Sequence, residues 1–271
     1  MTISALCKAS GISRQAYYKK REKRRLSRQE EQAIFSAVKE VRQKHPRQGV
    51  RKLLYKLRPQ LEAQEIRIGR DRLFDLLRGE HLLVTPQRRR MQTTNSRHRF
   101  RTYRNVIKDM DVGETHQVWV NDLTYIRTDE GHVFLALVTD SYSRKIVGYE
   151  VSDTLESVGC LRALKKAMKQ LPKGKKPIHH SDRGTQYCCN EYIKCLKKRE
   201  LGISMTEENH CYENAQAERV NGILKGEYLL GRTFLTKAQA RKSCAQAIHL
   251  YNTDRPHLAH NMLTPEEVHA A

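Results

Sequence analysis

Hydrophobic residues in the first third of the chain recur every three or four positions, a spacing typical of helices that pack on one side. In residues 30–45 they form one stripe, made of Ile34, Ala37, Val38 and Val41. Pro46 cannot continue a helix, so it ends this one. Leucines at helical spacing follow in 49–61 and again in 69–83. The sequence therefore predicts a set of packed helices before residue 84.

The chain starts with ISALCKASGISRQAYYKKREKRR, which has the pattern of helix, tight turn at Gly11 and a second helix after Ser13. This pattern is typical of a helix-turn-helix, although a short helical hairpin without a DNA role has the same sequence features. We interpret residues 1–84 as an all-α helix-turn-helix DNA-binding region. Its candidate DNA contacts are basic side chains on these helices: Arg14, Lys19, Lys20, Arg51, Lys52, Arg70 and Arg72.

Residues 85–112 begin with a polar, strongly basic stretch without helical or strand periodicity, TPQRRRMQTTNSRHRFRTYR. We interpret 85–112 as a basic linker, since it offers few side chains that could be buried. Its run of Arg88, Arg89 and Arg90 can follow DNA phosphates and release their counterions.

After Gly113 the pattern changes to short β-branched and aromatic runs. Three runs separated by Glu130-Gly131 and Ser143-Arg144 predict an antiparallel meander. Next come a helix over 157–170, a short strand, a helix near 190–200, another short strand and a helix from Asn214. The order β-β-β-α-β-α-β-α predicts an α/β, ribonuclease H-like mixed sheet flanked by helices. Residues 113–271 are thus predicted to be a catalytic core with a C-terminal helical tail.

Charge adds a prediction about partners, because the chain has a formal net charge of +21. Residues 1–110 hold 29 Lys or Arg and 10 Asp or Glu, a net charge of +19, which leaves +2 for 111–271. A region this basic favours nucleic acid. A membrane is disfavoured, since no apolar run approaches the ~20 residues of a spanning helix and no amphipathic segment has a bulky aromatic face.

The seven cysteines point to a reducing compartment and not to zinc. Their number is odd, and none has the C-x-x-C spacing of a structural zinc site. The first residues also lack a secretory signal, so we expect a cytoplasmic protein.

Three carboxylates stand at unusual places in the predicted core. Asp122 lies inside the first strand, where a half-buried charge needs compensation. Asp182 closes the fourth strand before Gly184, whose freedom at positive φ suits a sharp exit from the strand. Glu218 lies on the helix after Asn214, at the edge of its apolar face, with 35 residues between it and Asp182. Since sites gather where strands end, we expect these acids to lie together.

Two Asp and one Glu are hard oxygen ligands of the kind that Mg²⁺ prefers. They could hold two Mg²⁺ about 3.5–4 Å apart, an arrangement that activates a nucleophile and stabilises the leaving oxygen in phosphodiester transfer. Mn²⁺ should substitute for Mg²⁺. Lys225, two turns after Glu218 on the same helical side, could neutralise a DNA phosphate. Adjacent strand residues point to opposite faces, so at most one of His179 and His180 could join the site, and we favour a structural role.

These blocks resemble a known family, the OrfB transposases of the insertion-sequence-three family, relatives of retroviral integrases. The resemblance runs almost end to end: LCKASGISRQAYYKK, HPRQGVRKLLYKL, RDRLFDLLRGEHLL, VWVNDLTYI, SDRGTQY, NAQAER to LKGE, and YNTDRPHLAHNMLTPEE. It implies that Asp122, Asp182 and Glu218 are the metal-binding catalytic acids. It also implies strand cleavage and transfer at the inverted-repeat ends of a bacterial mobile element, without a covalent enzyme intermediate.

The resemblance further implies target DNA, a smaller OrfA partner or fusion, and at least a dimer on DNA. Two departures from the family pattern stand out: Glu213-Asn214-Ala215 replaces Asp-Asn-Ala, and Arg219-Val220-Asn221 replaces residues that are often aromatic. Neither removes a predicted ligand.

Two other functions compete with this interpretation. A non-catalytic DNA-binding regulator derived from a transposase would keep the basic region but has no reason to keep the three acids. A ribonuclease H-like nuclease that acts on RNA–DNA hybrids is disfavoured by the large basic N-terminal region.

Overall fold

The structure is a computed structural model that describes residues 2–85, 99–207 and 214–271. The chain divides into two compact units, Met1–Val84 and Thr85–Ala271. Arg88, Arg89 and Arg90 lie outside the described residues. Within the parts described, no helix is both long and apolar enough to cross a membrane.

The N-terminal unit contains four helices. They are α1 (Ile3–Ala9), α2 (Arg14–Lys44), α3 (Val50–Glu62) and α4 (Arg70–Gly79). Gly11, with φ at +65°, makes the turn between α1 and α2. Ser13 then caps α2, because its hydroxyl accepts a hydrogen bond from the Ala16 N–H at 3.0 Å. A helix, a glycine turn and a second helix thus begin the chain, as the pattern predicts.

The second helix of this pair is much longer than the pattern indicates. We predicted a second helix after Ser13 and another helical stretch over 30–45, but both belong to α2, which runs unbroken for 31 residues. The stretch between Tyr18 and Gln32 has no glycine or proline, and it is rich in Arg, Glu and Gln, which favour helices. The Glu22–Arg25 ion pair, at 2.6 Å, adds local support. Helix propensity therefore keeps this segment helical, although none of its described side chains is buried.

Ile34 is the first residue along the chain in the main buried apolar cluster described for the N-terminal unit. From there α2 packs against α3, and α3 packs against α4. Most of the side chains predicted from the periodicity are fully buried, including Ile34, Leu53, Leu57, Leu73 and Leu77, whereas Val41 and Leu76 are only partly buried.

The C-terminal unit is built on a five-stranded sheet in the order β3-β2-β1-β4-β5. The strands are β1 (Val118–Thr128), β2 (Gly131–Asp140), β3 (Ile146–Ser152), β4 (Ile178–Ser181) and β5 (Gly202–Met205). The first three form the predicted antiparallel meander, while β4 pairs parallel with β1, and β5 parallel with β4. This is the mixed sheet expected from the order of elements.

Helices cover both faces of the sheet. They are α5 (Ser157–Gln170), α6 (Thr185–Cys188), α7 (Asn190–Lys198), α8 (Ala215–Gly226), α9 (Lys237–Thr253) and α10 (Pro265–Ala270). One buried cluster joins residues of β1, β2 and β3 to α8 and α9, and a second joins the sheet to α5, α6 and α7. The C-terminal tail is therefore part of the core, since Cys244, Ile248 and Tyr251 of α9 are buried in the first cluster.

The end of the predicted linker also packs onto the sheet. Ile107, Met110 and Val112 lie against the buried Val118 and Val120 of β1. The Val106 N–H donates to Ser204 Oγ of β5 at 3.1 Å. The packed core therefore begins earlier along the chain than residue 113, since residues 106–112 already contact β1 and β5.

Candidate active site

Asp122 lies at the middle of β1 and is partly buried. Both of its carboxylate oxygens accept hydrogen bonds. Oδ1 accepts from the Leu123 N–H at 2.9 Å, and Oδ2 accepts from Asn221 Nδ2 of α8 at 2.6 Å. These two hydrogen-bond donors partly compensate the Asp122 charge, as the sequence predicts for a half-buried carboxylate in a strand.

Asp182 directly follows the last residue of β4, so it stands at a strand end as predicted. The parallel register pairs Val120 with His180. This is the last pair of the β1–β4 ladder, and Asp122 and Asp182 each lie two residues beyond it, so both acids leave the ladder at the same end. The register itself brings the two carboxylates to one place.

Gly184 is needed beside Asp182 for a different reason from the one predicted. Its φ is −63°, so no positive-φ conformation is used. Instead, a Cβ at this position would stand 3.0 Å from Asp182 Oδ1. The Gly184 N–H donates to that same oxygen at 3.0 Å. A side chain here would crowd the carboxylate.

Glu218 lies in the first turn of α8, on the exposed edge of the helix. The predicted inward face is confirmed, since Ala217, Val220, Ile223 and Leu224 are buried. Two amides fix the start of α8 against the sheet. Asn214 Nδ2 donates to the Asn121 carbonyl at 3.1 Å, and Gln216 exchanges two hydrogen bonds of 2.7 Å with Ser141. These contacts set the position from which Glu218 projects.

The three acids influence one another electrostatically. Burial raises the pKa of Asp122 to about 7, with a further rise from the Asp182 carboxylate and a small one from Glu218. The hydrogen bonds from Asn221 and Leu123 oppose this rise in the pKa. Partial burial and then Asp182 also raise the pKa of Glu218. Such mutual repulsion is typical of carboxylates that share a site.

The donor set fits a hard divalent cation, because all three candidate ligands are carboxylates and the Asp122 charge is only partly compensated. In residues 2–85, 99–207 and 214–271, however, no group of three His, Cys, Asp or Glu side chains is arranged tightly enough to hold a metal. Like charges oppose such close approach unless a cation lies between them.

Lys225 lies on α8 as predicted, two turns beyond Glu218. Its ammonium stands over the Tyr125 ring of β1, 4.6 Å from the ring centroid. A cation held over an aromatic face keeps its charge and gains a fixed position.

The two histidines before Asp182 have structural partners. His179 shares a 2.8 Å hydrogen bond with the Tyr192 hydroxyl, and His180 shares one of 2.9 Å with Ser204 Oγ. Both rings are buried, and burial lowers the pKa of His179 to about 3, so it stays neutral.

Most of the basic residues predicted to contact DNA in the N-terminal unit are on its surface. Arg14, Lys19, Lys20, Arg51, Arg70 and Arg72 are exposed. Arg70 pairs with Asp71 at 2.8 Å, and Arg72 lies 3.6 Å from Glu30. Lys52 differs from the others, since it is only 9% exposed and lies among the buried residues of α3. It is therefore poorly placed to contact DNA.

Asn221 is the residue of this site that the sequence reasoning missed. In the sequence it stands out only as a departure from a family pattern, although its side chain donates a hydrogen bond to Asp122. The sequence does contain a signal for this residue. Asn221 is a polar amide one turn after Glu218, and it lies among the apolar residues of the helix face that includes Val220 and Ile223.

Comparisons with known proteins identify the family of this chain. The integrase core domain family matches residues 114–211, and a second integrase core domain family matches 199–265. A 31 kDa protein of insertion element IS600 from Shigella sonnei is 30% identical over 96% of each chain. Transposase InsF of insertion sequence IS3A from Escherichia coli is 28% identical over 98% of this chain and 93% of its own.

A solved structure shares the fold. The simian T-cell lymphotropic virus intasome, solved in complex with a PP2A regulatory subunit, matches with a TM-score of 0.50 and 17% identity, over 75% of this chain and 68% of the matched chain.

Proposed function

Since this chain belongs to the insertion-sequence family that includes transposase InsF of IS3, we propose that Asp122, Asp182 and Glu218 are its catalytic, metal-binding residues. The chain is a transposase of the integrase type, and enzymes of this type depend on divalent metal. The observation that carries the assignment of residues is the β1–β4 register, which sets Asp122 beside Asp182 while α8 packs against β1.

The three acids would hold two Mg²⁺, or Mn²⁺ in their place. Bound there, the cations supply Lewis acidity to the attacking and leaving oxygens of a phosphodiester. Asp122 and Asp182 would ligate from the sheet, and Glu218 from the helix. Asp122 must lose its proton to ligate, so metal binding and deprotonation are coupled at this residue. Lys225 would contact a phosphate of the DNA that enters the site.

We further propose that the substrates are the inverted-repeat ends of a bacterial insertion sequence and its target DNA. Residues 1–84 would bind DNA through the exposed Arg14, Lys19 and Lys20 near the start of α2, with Arg51, Arg70 and Arg72 as further contacts. Pairing two element ends requires at least a dimer on DNA, and an OrfA partner would act with this chain. These events would take place on the nucleoid, in the bacterial cytoplasm.

The test is cleavage and joining of element-end DNA in Mg²⁺, with and without OrfA. Asp182→Asn removes one ligand charge and should abolish both products, while Asp129→Asn, on the exposed turn between β1 and β2, should leave both unchanged. Equal activity of Asp182→Asn and the unchanged protein would overturn the assignment. DNA binding without any cleavage by the unchanged protein would favour the non-catalytic regulator instead.

A further inference from the structure

Asn221 joins the helix of Glu218 to the carboxylate of Asp122. It lies one turn after Glu218 on α8, and only 6% of it is exposed. Its amide nitrogen donates to Asp122 Oδ2 at 2.6 Å. This is a direct side-chain hydrogen bond between one predicted ligand and the element that carries another.

The surroundings of Asn221 are costly for an amide. Val220, Ile223 and Leu224, its neighbours on α8, are all buried in the apolar cluster between the helix and the sheet. Within the described residues, Asn221 Oδ1 has no hydrogen-bond partner. A buried amide with one unsatisfied atom destabilises a fold, so packing alone does not explain an asparagine here.

The hydrogen bond fixes how Asp122 presents its oxygens. With Leu123 holding Oδ1 at 2.9 Å and Asn221 holding Oδ2, the carboxylate cannot rotate freely about its last bond. Each oxygen keeps a further lone pair for a cation. Partners of this kind orient metal ligands and raise metal affinity.

We propose that Asn221 is a positioning residue of the active site. It holds the Asp122 carboxylate in the orientation that accepts a cation, and through α8 it ties this orientation to the position of Glu218. Binding of a cation at Asp122 is thereby coupled to the placement of the third acid. This inference rests on the proposed assignment of Asp122 as a metal ligand.

The experiment measures Mn²⁺ affinity of the full chain from the rise in Tm with Mn²⁺ concentration, without DNA. Fluorescence of Trp119, the single tryptophan, reports unfolding of the sheet. Asn221→Leu has nearly the same shape but no donor, and it should weaken Mn²⁺ binding about 10-fold or more. Ile223→Val, on the same buried face, should lower Tm without changing the Mn²⁺ affinity.

A double-mutant cycle separates positioning from general packing. In an Asp122→Asn background, Asn221→Leu should cause no further loss of Mn²⁺ affinity. The inference is overturned if Asn221→Leu lowers the Mn²⁺ affinity as much in the Asp122→Asn background as in the unchanged protein. It is also overturned if Asn221→Leu alone leaves the Mn²⁺ affinity unchanged. If Asn221→Leu does not fold, Asn221→Ala is compared with Ile223→Ala in the same way.

The two proposals fail differently in this experiment. If Asp122→Asn itself binds Mn²⁺ as tightly as the unchanged protein, the assignment of the metal site fails. If Asp122→Asn loses binding while Asn221→Leu keeps it, only the role of Asn221 fails.

Discussion

Asp122 occupies a strand position at which its neighbours Val120 and Ile126 on the same face are buried. Its pKa is raised to about 7, well above the ordinary value near 3.9, chiefly because burial disfavours the charged form. A carboxyl with a higher pKa in the folded than in the unfolded state binds its proton more tightly when folded. The folded state therefore loses stability as pH rises from about 4 to about 7.

A first prediction follows for Asp122→Asn in metal-free buffer with a chelator. At pH 8 the variant should be more stable than the unchanged protein by at least about 1 kcal/mol, or roughly 2–4 °C in Tm, because it removes a buried charge. At pH 4 the two should be equal, since the carboxyl is then protonated. Thermal unfolding followed by Trp119 fluorescence checks this, with Asp129→Asn as control. A lower Tm for Asp122→Asn at pH 8 would contradict it.

At the scale of elements, the C-terminal segment supports the helix that carries Glu218. Arg255 follows α9, its side chain is 3% exposed, and it binds both oxygens of Glu227 at 2.8 Å. Glu227 caps the C-terminal end of α8. Arg255 also lies over the Tyr251 ring, 5.7 Å from its centroid. The closing motif YNTDRPH thus anchors α8 at the end opposite Asn214.

A second prediction concerns this ion pair. Arg255→Ala leaves the Glu227 charge without its buried partner and should destabilise the C-terminal unit by about 3 kcal/mol or more. Lys175→Ala, which removes an exposed pair with Glu114, should cost less than about 1 kcal/mol. Urea unfolding followed by Trp119 fluorescence measures the free energy of unfolding of both variants. A similar loss of stability in the two would count against an anchoring role of Arg255.

The sequence predicted most elements of the sheet unit because alternation and helical spacing are local properties. The strands around Asp122, the turn at Gly131 and the inward face of α8 all follow from such patterns. The length of α2 was missed because its basic middle part has no apolar stripe to mark it. The contacts of Val106, Asn221 and Arg255 were missed because their partners Ser204, Asp122 and Glu227 lie far away in sequence. The local sequence pattern was enough to identify the three acids. The side chains that position them could be identified only from the three-dimensional structure.

At the scale of the whole molecule, positive charge and acidic chemistry are separated along the chain. Residues 1–110 carry a net charge of +19, and the proposed catalytic acids all lie in the remaining, nearly neutral part. We therefore propose that the N-terminal region supplies most of the electrostatic attraction for DNA and that the sheet unit carries the chemistry.

A third prediction tests this division in the full chain. Changing Arg14, Lys19 and Lys20 together to Ala should weaken DNA binding at least about 10-fold and lower the slope of log K against log[salt] by up to about 3, as phosphate contacts are lost. The same change at Lys165, Lys169 and Lys173, which are exposed in the C-terminal unit, removes equal charge and should have a smaller effect. Binding titrations at several salt concentrations compare them. A larger effect of the second triple would place the main DNA contacts elsewhere.

If Asp182 acts by holding a metal ion, replacing its oxygen ligand by sulfur should change which metal supports activity. Thiolate binds Mg²⁺ poorly but accepts softer cations such as Mn²⁺ more readily. Asp182→Cys should therefore cleave element-end DNA at least about 100-fold more slowly than the unchanged protein in Mg²⁺, and should recover a measurable part of that rate in Mn²⁺. Asp182→Ala, which offers no ligand, should stay inactive in both. Full activity of Asp182→Cys in Mg²⁺, or equal recovery of Asp182→Ala in Mn²⁺, would exclude a metal-binding role for Asp182.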